Sequence, residues 1–430
     1  MLNLIIFFLK LYLIILMIIL ILYSIRHYYF TLNRTFSEQK VYYQDIIDSD
    51  LPKVSILIPM HNEEKVANQI LNSLINIDYP LDKLEIIPIN DHSTDKTKEI
   101  LDFYASKYNF IKPIHIYDNK TKGKQNIINK VVDIATGDII VIYDADYIVP
   151  KSQIKDIVKA FIDPEVGAVM GKVVPYNSNK NLLTLMLTME RAAGYQIDQQ
   201  ARYNLNLVPQ YGGTTGAFRK DLFIKLGKFD PNILAEDTEL TFKLFLNGYK
   251  VVYANRLESF EEVPEDWNIR ARQLRRWSRG HNQVMLKYLF KLILSDKLNI
   301  HQKIDGVLLL FIYTVPFLTL LGFLVSLFLF FMGEMNIVNF YLFLLAVYGY
   351  NVFGNFAPFY QIAIANFLEN NSDYLKILPL FFISFVFNLF YSSLGFIDAL
   401  LDLITKREVK WDKTIRFTEN TNIKENINNG

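Results

Sequence analysis

Cysteine is missing from the 430 residues. Its absence excludes disulfides, thiolate catalysis and cysteine-ligated metal. A charge excess of either sign is missing too: 45 basic residues against 44 acidic ones leave +1. Electrostatic binding of nucleic acid needs a basic excess on the binding domain, so no nucleic-acid partner is expected. Charged residues make up 21% of the chain and apolar ones 51%. The apolar excess sits at the two ends. The length allows about two to three domains.

Residues 4–23 are apolar except for Lys10. Such a run rises about 30 Å as a helix, which matches a bilayer core. It continues into Tyr23, Arg26, His27, Tyr28 and Tyr29 with no small-residue cleavage site. It therefore reads as an uncleaved anchor rather than a signal peptide. Arg26, Arg34 and Lys40 follow it, which by the positive-inside tendency places the next domain in the cytoplasm. Lys10, near the outer end, can snorkel.

At the other end, residues 306–333, 335–368 and 377–397 carry no charge, and each run is long enough to span. The middle run contains Asn339, Asn351, Asn355, Gln361, Asn366 and Pro358. Polar groups at membrane depth must face protein or a wet cavity. It reads either as one long tilted helix with polar ends or as a helix lining a polar path, broken at Pro358. Basic residues Lys406, Arg407, Lys410, Lys413 and Arg416 point to a cytoplasmic tail. One span per run gives four spans and an external tail, so the two arguments conflict.

Between about residues 51 and 300 the pattern changes. Residues 54–58, 84–89, 114–117 and 139–143 are short β-rich runs, the second despite Pro88. Amphipathic stretches over 63–77, 94–106 and 123–134 alternate with them. Repeated β-α-β with continuous apolar strands indicates a mostly parallel sheet covered by helices. Ligands bind at the carboxyl ends of such strands. There the sequence carries Pro59 to Glu64, then Asn90 to Asp95, then Asp144-Ala145-Asp146. Any one acidic loop is readily explained as a helix cap or a solvated turn. Three at one sheet edge point to a site. Asp144 and Asp146 are spaced to share one Mg²⁺ or Mn²⁺, ions that prefer carboxylate and phosphate oxygens. Lys124, after Gly123, suits either a phosphate contact or an exposed helix start.

These segments resemble the nucleotide-sugar-binding half of a family 2 glycosyltransferase. Downstream, Tyr211-Gly212-Gly213-Thr214-Thr215-Gly216-Ala217-Phe218-Arg219 resembles that family's acceptor-side glycine loop, and Ala235-Glu236-Asp237 its acidic segment. Gln273-Leu274-Arg275-Arg276-Trp277 matches the Gln-x-x-Arg-Trp signature of its membrane-embedded, processive members, and Trp411-Asp412-Lys413-Thr414-Ile415-Arg416 is similar to their tail. The poly-N-acetylglucosamine, hyaluronan, chitin and cellulose synthases share this layout.

The resemblance implies an α/β GT-A domain, mostly parallel with helices on both faces, joined to transmembrane helices. Its segments would be an anchor over 1–30, a catalytic domain over 51–265 and interface helices over 266–305. A membrane region over 306–404 and a polar tail over 405–430 would follow. It implies Asp237 as the acceptor base and Glu236 as its orienting neighbour. Pro59, Asn62, Glu63 and Asp91 would surround the uridine, Lys124 and Asp144 the nucleotide, and Asp144 with Asp146 the metal. Gln273, Arg276 and Trp277 would lie over donor and acceptor, with Trp277 offering a flat face to a sugar. Without this signature Trp277 would read as an interfacial anchor. Ala235, His61 and His92 depart from the usual pattern, which weakens any statement about the donor's identity.

Residues 270–288 interleave six basic residues with Ile269, Leu274, Trp277, Val284, Met285 and Leu286. This reads as a basic amphipathic helix at the membrane face. The expected enzyme is a multi-pass cell-membrane protein with a cytoplasmic catalytic domain. It would use a UDP-sugar of the glucose or N-acetylglucosamine class to extend and export a β-linked polysaccharide. The alternative is transfer of one or a few sugars to a membrane lipid, and a third reading is a transporter or scaffold with an inactive transferase domain. Intact carboxylates at every family position argue against the third.

Overall fold

The computed structural model describes residues 2–41, 50–118, 121, 123–334, 348–350 and 352–405. The basic tail with its 411–416 motif, Asn339 and Asn351 lie outside the described residues.

Seven strands form one sheet: β1 (Val54–Met60), β2 (Leu84–Asp91), β3 (Ile114–Ile116), β4 (Ile139–Ile142), β5 (Val166–Pro175), β6 (Gly216–Arg219) and β7 (Lys250–Glu261). Their order is β3-β2-β1-β4-β6-β5-β7. β1 pairs parallel with β2 and β4, β2 with β3, and β5 with β7. β6 runs antiparallel between β4 and β5. Alternation along β1 sends Val54, Ile56 and Ile58 into one apolar cluster and Leu57 into the other. Both faces are thus buried, which is why the strands read as unbroken apolar runs. Pro88 pairs with Ile58 in β1, and β3 joins β2 only from Ile89 onward. The missing proline donor faces the β3 edge, between the Ile86–Ile111 bridge and the start of β3, where the pairing is interrupted.

The helix expected over 63–77 is shorter, Ala67–Leu74. Its apparent first turn is a loop in which the Val66 and Ala67 N–H groups donate to the Glu63 carbonyl at 3.1 and 2.9 Å. That loop is the β1 strand end, spent on the site rather than on the helix.

Helices Leu2–Phe36 and Ser372–Thr405 are long and apolar enough to cross a membrane. Ile300–Phe311 and Val315–Phe331 reach that length only together, bent by 65°. The run over 306–333 is therefore not one straight helix. Pro316 lies in the first turn of the second piece, where it cannot supply an N–H to continue the first. The Thr314 hydroxyl bonds Asn282 Oδ1 at 2.6 Å across the break.

Two polar residues of the middle run, Gln361 and Asn366, have a structural use. Ala357–Leu368 is a helix of 12 residues with proline in its first turn. Asn366 donates to the Met189 carbonyl at 3.3 Å and Gln361 to the Ala193 carbonyl at 3.5 Å. Those carbonyls belong to the helix Leu182–Ala192 and to the π-helical turn Ala193–Gln199 that continues it. This helix thus turns its amides onto that helix and turn.

The basic residues after the N-terminal run dock on the same region. Arg26 bonds Asp198 at 3.2 Å, Arg34 bonds Gln196 at 3.1 Å and Lys40 bonds Asn206 at 2.7 Å. The amphipathic stretch is one helix, Trp267–Leu294, begun by an Asp266 side-chain cap. Most of its cations meet protein acids rather than standing open to lipid headgroups. Arg270 pairs with Glu190 at 3.1 Å, Arg275 with Asp398 at 2.5 Å and Arg279 with Asp402 at 2.6 Å. Lys287 pairs with Asp230 at 2.6 Å.

Two glycines set the spacing of this interface helix. A Cβ on Gly280 would stand 2.6 Å from the Ala235 nitrogen, and one on Gly395 would stand 2.5 Å from the Arg275 carbonyl oxygen. Backbone cannot yield as a flexible side chain can. Gly280→Ala should lower stability by about 1–3 kcal/mol, the usual range for overpacking. Gly349→Ala, with nothing within 4 Å of the added atom, should leave the melting temperature nearly unchanged. Thermal unfolding of both in detergent checks this.

Candidate active site

A cavity of about 420 Å³ opens at the carboxyl ends of β1, β2 and β4 and runs beneath the interface helix. Pro59, Glu63, Asp91, Lys124, Asp144, Asp146, Glu236, Asp237, Gln273, Arg276 and Trp277 all line it. Asn62 does not. It sits at φ +54, and its side chain accepts the Thr94 N–H at 2.8 Å. It ties two strand-end loops together instead of facing the cavity.

Asp91 ends β2 with both carboxylate oxygens engaged, by His92 at 2.6 Å and by the Gly123 N–H at 3.0 Å. Gly123 has φ +97, a conformation that L side chains disfavour. It turns the chain into the helix Lys124–Ile134 and aims Lys124 inward. Lys124 Nζ lies 3.0 Å from Asp144 and 3.5 Å from Glu236. Burial alone would lower the lysine's pKa, but the two carboxylates outweigh it and hold the ammonium above its ordinary value. Asp146 is 1% exposed and accepts the Glu262 N–H at 3.3 Å.

Glu236 and Asp237 open the helix Glu236–Leu246. Burial pushes both carboxyls above the usual carboxylate range, against the pull of Lys124. Asp237 Oδ1 accepts the Thr238 N–H at 2.7 Å. Gly213, at φ +73, packs so that a Cβ would lie 3.1 Å from Asp237 Cβ. The glycine loop is thus pressed directly against this carboxylate.

Trp277 lies half-buried on the cavity wall within a cationic frame. The guanidinium groups of Arg191 and Arg270 each stand 5.3 Å from its ring centroid. Arg270 also donates to Gln273 Oε1 at 2.9 Å, so the signature glutamine is oriented by its own helix.

Residues 55–227 match the model of Glycosyl transferase family 2. The chain carries a family 2 glycosyltransferase domain. The match ends before Glu236, Asp237 and the 273–277 signature. Among curated proteins, the chain is 39% identical over 242 residues to the probable glycosyltransferase YdaM of Bacillus subtilis, covering 56% of this chain and 58% of that one. It is 29% identical over 280 residues to the beta-monoglucosyldiacylglycerol synthase of Nostoc sp., with shares of 64% and 58%. It is 29% identical over 266 residues to the poly-beta-1,6-N-acetyl-D-glucosamine synthase of Staphylococcus aureus, with shares of 61% and 62%. The chain thus spans less than two thirds of the length of each of these relatives. The solved mannosyltransferase PcManGT of Pyrobaculum calidifontis, in complex with GDP-Man and Mn²⁺, superposes with a TM-score of 0.57 at 21% identity. That superposition covers 87% of this chain and 98% of that one. This likeness is one of fold, and the fold is GT-A.

The cavity also brings in residues that no motif announced. Glu190, Arg191, Tyr195, Gln210, His281 and Tyr313 line the same cavity. Arg191 pairs with Glu261 at 2.7 Å. Glu190 accepts bonds from Ser384 at 2.6 Å and from Arg270 at 3.1 Å, joining three elements far apart in sequence. Only their tertiary placement reveals them, although the His281 position, one turn beyond Trp277, was a readable hint.

Replacing Gly213 tests the loop's contact with Asp237. Gly213→Ala should cost roughly 1–2 kcal/mol for its left-handed backbone. Transfer should fall further than nucleotide binding, because the added methyl meets the carboxylate and not the nucleotide side. Thermal unfolding, UDP titration and turnover on one preparation check it.

Proposed function

We propose that this chain is a membrane-integrated, inverting glycosyltransferase using a UDP-sugar of the glucose or N-acetylglucosamine class. One observation carries the reading. A single cavity joins the nucleotide-side Asp91 and Lys124, the Glu236–Asp237 pair and the Gln273–Arg276–Trp277 signature. Asp237 takes the proton of the acceptor hydroxyl as that oxygen bonds the donor's anomeric carbon. The bond from that carbon to the diphosphate breaks on the opposite face, and UDP leaves with its electron pair. Lys124 and Arg276 supply positive charge toward the leaving group.

Among the described residues no group of three or more His, Cys, Asp or Glu side chains is placed to hold a metal. The Asp144 and Asp146 pair still fits Mg²⁺ or Mn²⁺ of the substrate-shared kind, which takes one or two carboxylates plus phosphate oxygens. Bound there, the ion neutralises diphosphate charge.

Our reading of the product is a β-linked glycan extended at the membrane face, as the name of the Staphylococcus relative suggests for that protein. Transfer to a membrane lipid, as the Nostoc relative's name states, is favoured by a different observation. Leu309, Ile312 and Tyr313, at the bend of the helix pair, form one wall of the cavity. Membranes incubated with labelled UDP-sugars decide by product size: long polymer supports the first, a solvent-extractable lipid the second. The catalytic domain is assigned to the cytoplasm because it docks on the end of the N-terminal helix that carries Arg26, Arg34 and Lys40.

Asp237→Asn should keep UDP binding and lose about 10²–10⁴ in turnover. Near-normal turnover would remove Asp237 as the base. Burial raises this carboxyl, and the base must be ionised. The acid limb of the rate profile should therefore lie above about pH 3.9, the value of a solvated aspartate. EDTA should abolish transfer and Mg²⁺ or Mn²⁺ restore it, with Asp146→Ala weakening metal-dependent UDP binding in calorimetry.

A further inference from the structure

We infer that His281 is a positioning residue that fixes which oxygen of Asp237 receives the acceptor's proton. The inference rests on Asp237 being the base. His281 stands on the interface helix, and its ring nitrogens Nε2 and Nδ1 lie 3.2 and 3.4 Å from Thr238 Oγ1. The same hydroxyl accepts the Gln210 side-chain N–H at 2.8 Å and lies 3.3 Å from Asp237 Oδ1. His281 packs against Tyr313 with ring centroids 4.6 Å apart.

A threonine hydroxyl has one proton and two lone pairs. Gln210 fills one lone pair. A neutral histidine carries one N–H, and when it fills the other, the hydroxyl proton has one place left to go, Asp237 Oδ1. Burial drops His281 to about 4, so the ring is neutral at ordinary pH. Oδ1 then holds two hydrogen bonds, the Thr238 N–H at 2.7 Å and the Thr238 O–H. Oδ2 faces the glycine loop, 3.4 Å from where a Gly213 Cβ would be. The geometry makes Oδ2 the proton acceptor and Oδ1 the anchor. His281 acts through Thr238 and need not touch substrate.

The prediction concerns both rate and pH. Asp237 is faced by Glu236 on its own helix, Lys124 on the helix after Gly123, Tyr195 on the π-helical turn, Tyr211 in the glycine loop and Tyr313 at the bend. His281→Phe keeps a ring against Tyr313 and removes the N–H. The Thr238 proton is then no longer committed to Oδ1. A carboxylate that loses a hydrogen bond is harder to ionise, so the acid limb of kcat should move to higher pH. At its optimum kcat should fall roughly tenfold, a fraction of what the base itself supplies. UDP affinity and the donor KM should not change.

The test measures kcat, KM, UDP affinity and the pH profile of full-length His281→Phe, His281→Gln and Asp237→Asn. His281→Gln retains an N–H and should recover rate and limb. If His281→Phe does not fold, Thr238→Val removes the relaying hydroxyl and should show the same shifted limb. A normal kcat and an unmoved limb beside an inactive Asp237→Asn overturn this inference and leave the base assignment standing. A glutamine variant as impaired as the phenylalanine one also overturns it. An active Asp237→Asn removes the base assignment itself.

Discussion

The contact of Gly280 with the backbone at Leu234 and Ala235 governs how the two halves of this molecule meet. Ala235 immediately precedes the helix that presents Glu236 and Asp237. The same stretch of interface helix carries Trp277 and His281. A glycine there brings the interface helix and the backbone just before Glu236 to van der Waals distance, so the wall that carries Trp277 stands close to the carboxylates. Gly395 repeats the device against the other side of the helix. Glu236 and Asp237 are thus held to the interface helix by close backbone packing.

Charge follows the same logic. The interface helix looked from its composition like a basic face for lipid headgroups. Three of its five arginines instead pair with Glu190, Asp398 and Asp402, acids contributed by the helix Leu182–Ala192 and by the last helix. Arg275 and Arg279 are one turn apart, as are Asp398 and Asp402, so two forked pairs form side by side. Such pairs add little stability where water reaches them, but they fix register between helices.

The sheet and the strand-end residues that line the cavity were legible because parallel strands place chemistry at their ends and because glycines mark the turns. Asn62 shows the limit of that reasoning. A polar residue in the right loop was spent on bonding a neighbouring loop, and nothing local distinguishes the two uses. Glu190, Arg191 and His281 were not legible because their meaning depends on which distant element covers them. The polar middle run posed the reverse problem: nothing local shows that Gln361 and Asn366 bond the carbonyls of Ala193 and Met189. The single run over 306–333 hid a bend, although Pro316 was in plain view.

The π-helical turn Ala193–Gln199 has a consequence for how this wall of the cavity can vary. A π turn carries one residue more than an ordinary one and winds less per residue. It therefore delays the angular phase of everything after it, so that Asp198 and Arg202 share the cavity with Glu190 and Arg191. Deleting one residue here would restore ordinary pitch and rotate the later pair out of the cavity, without touching a catalytic side chain. Length at this point acts as a dial on that wall. A one-residue insertion or deletion would redirect it more sharply than most substitutions.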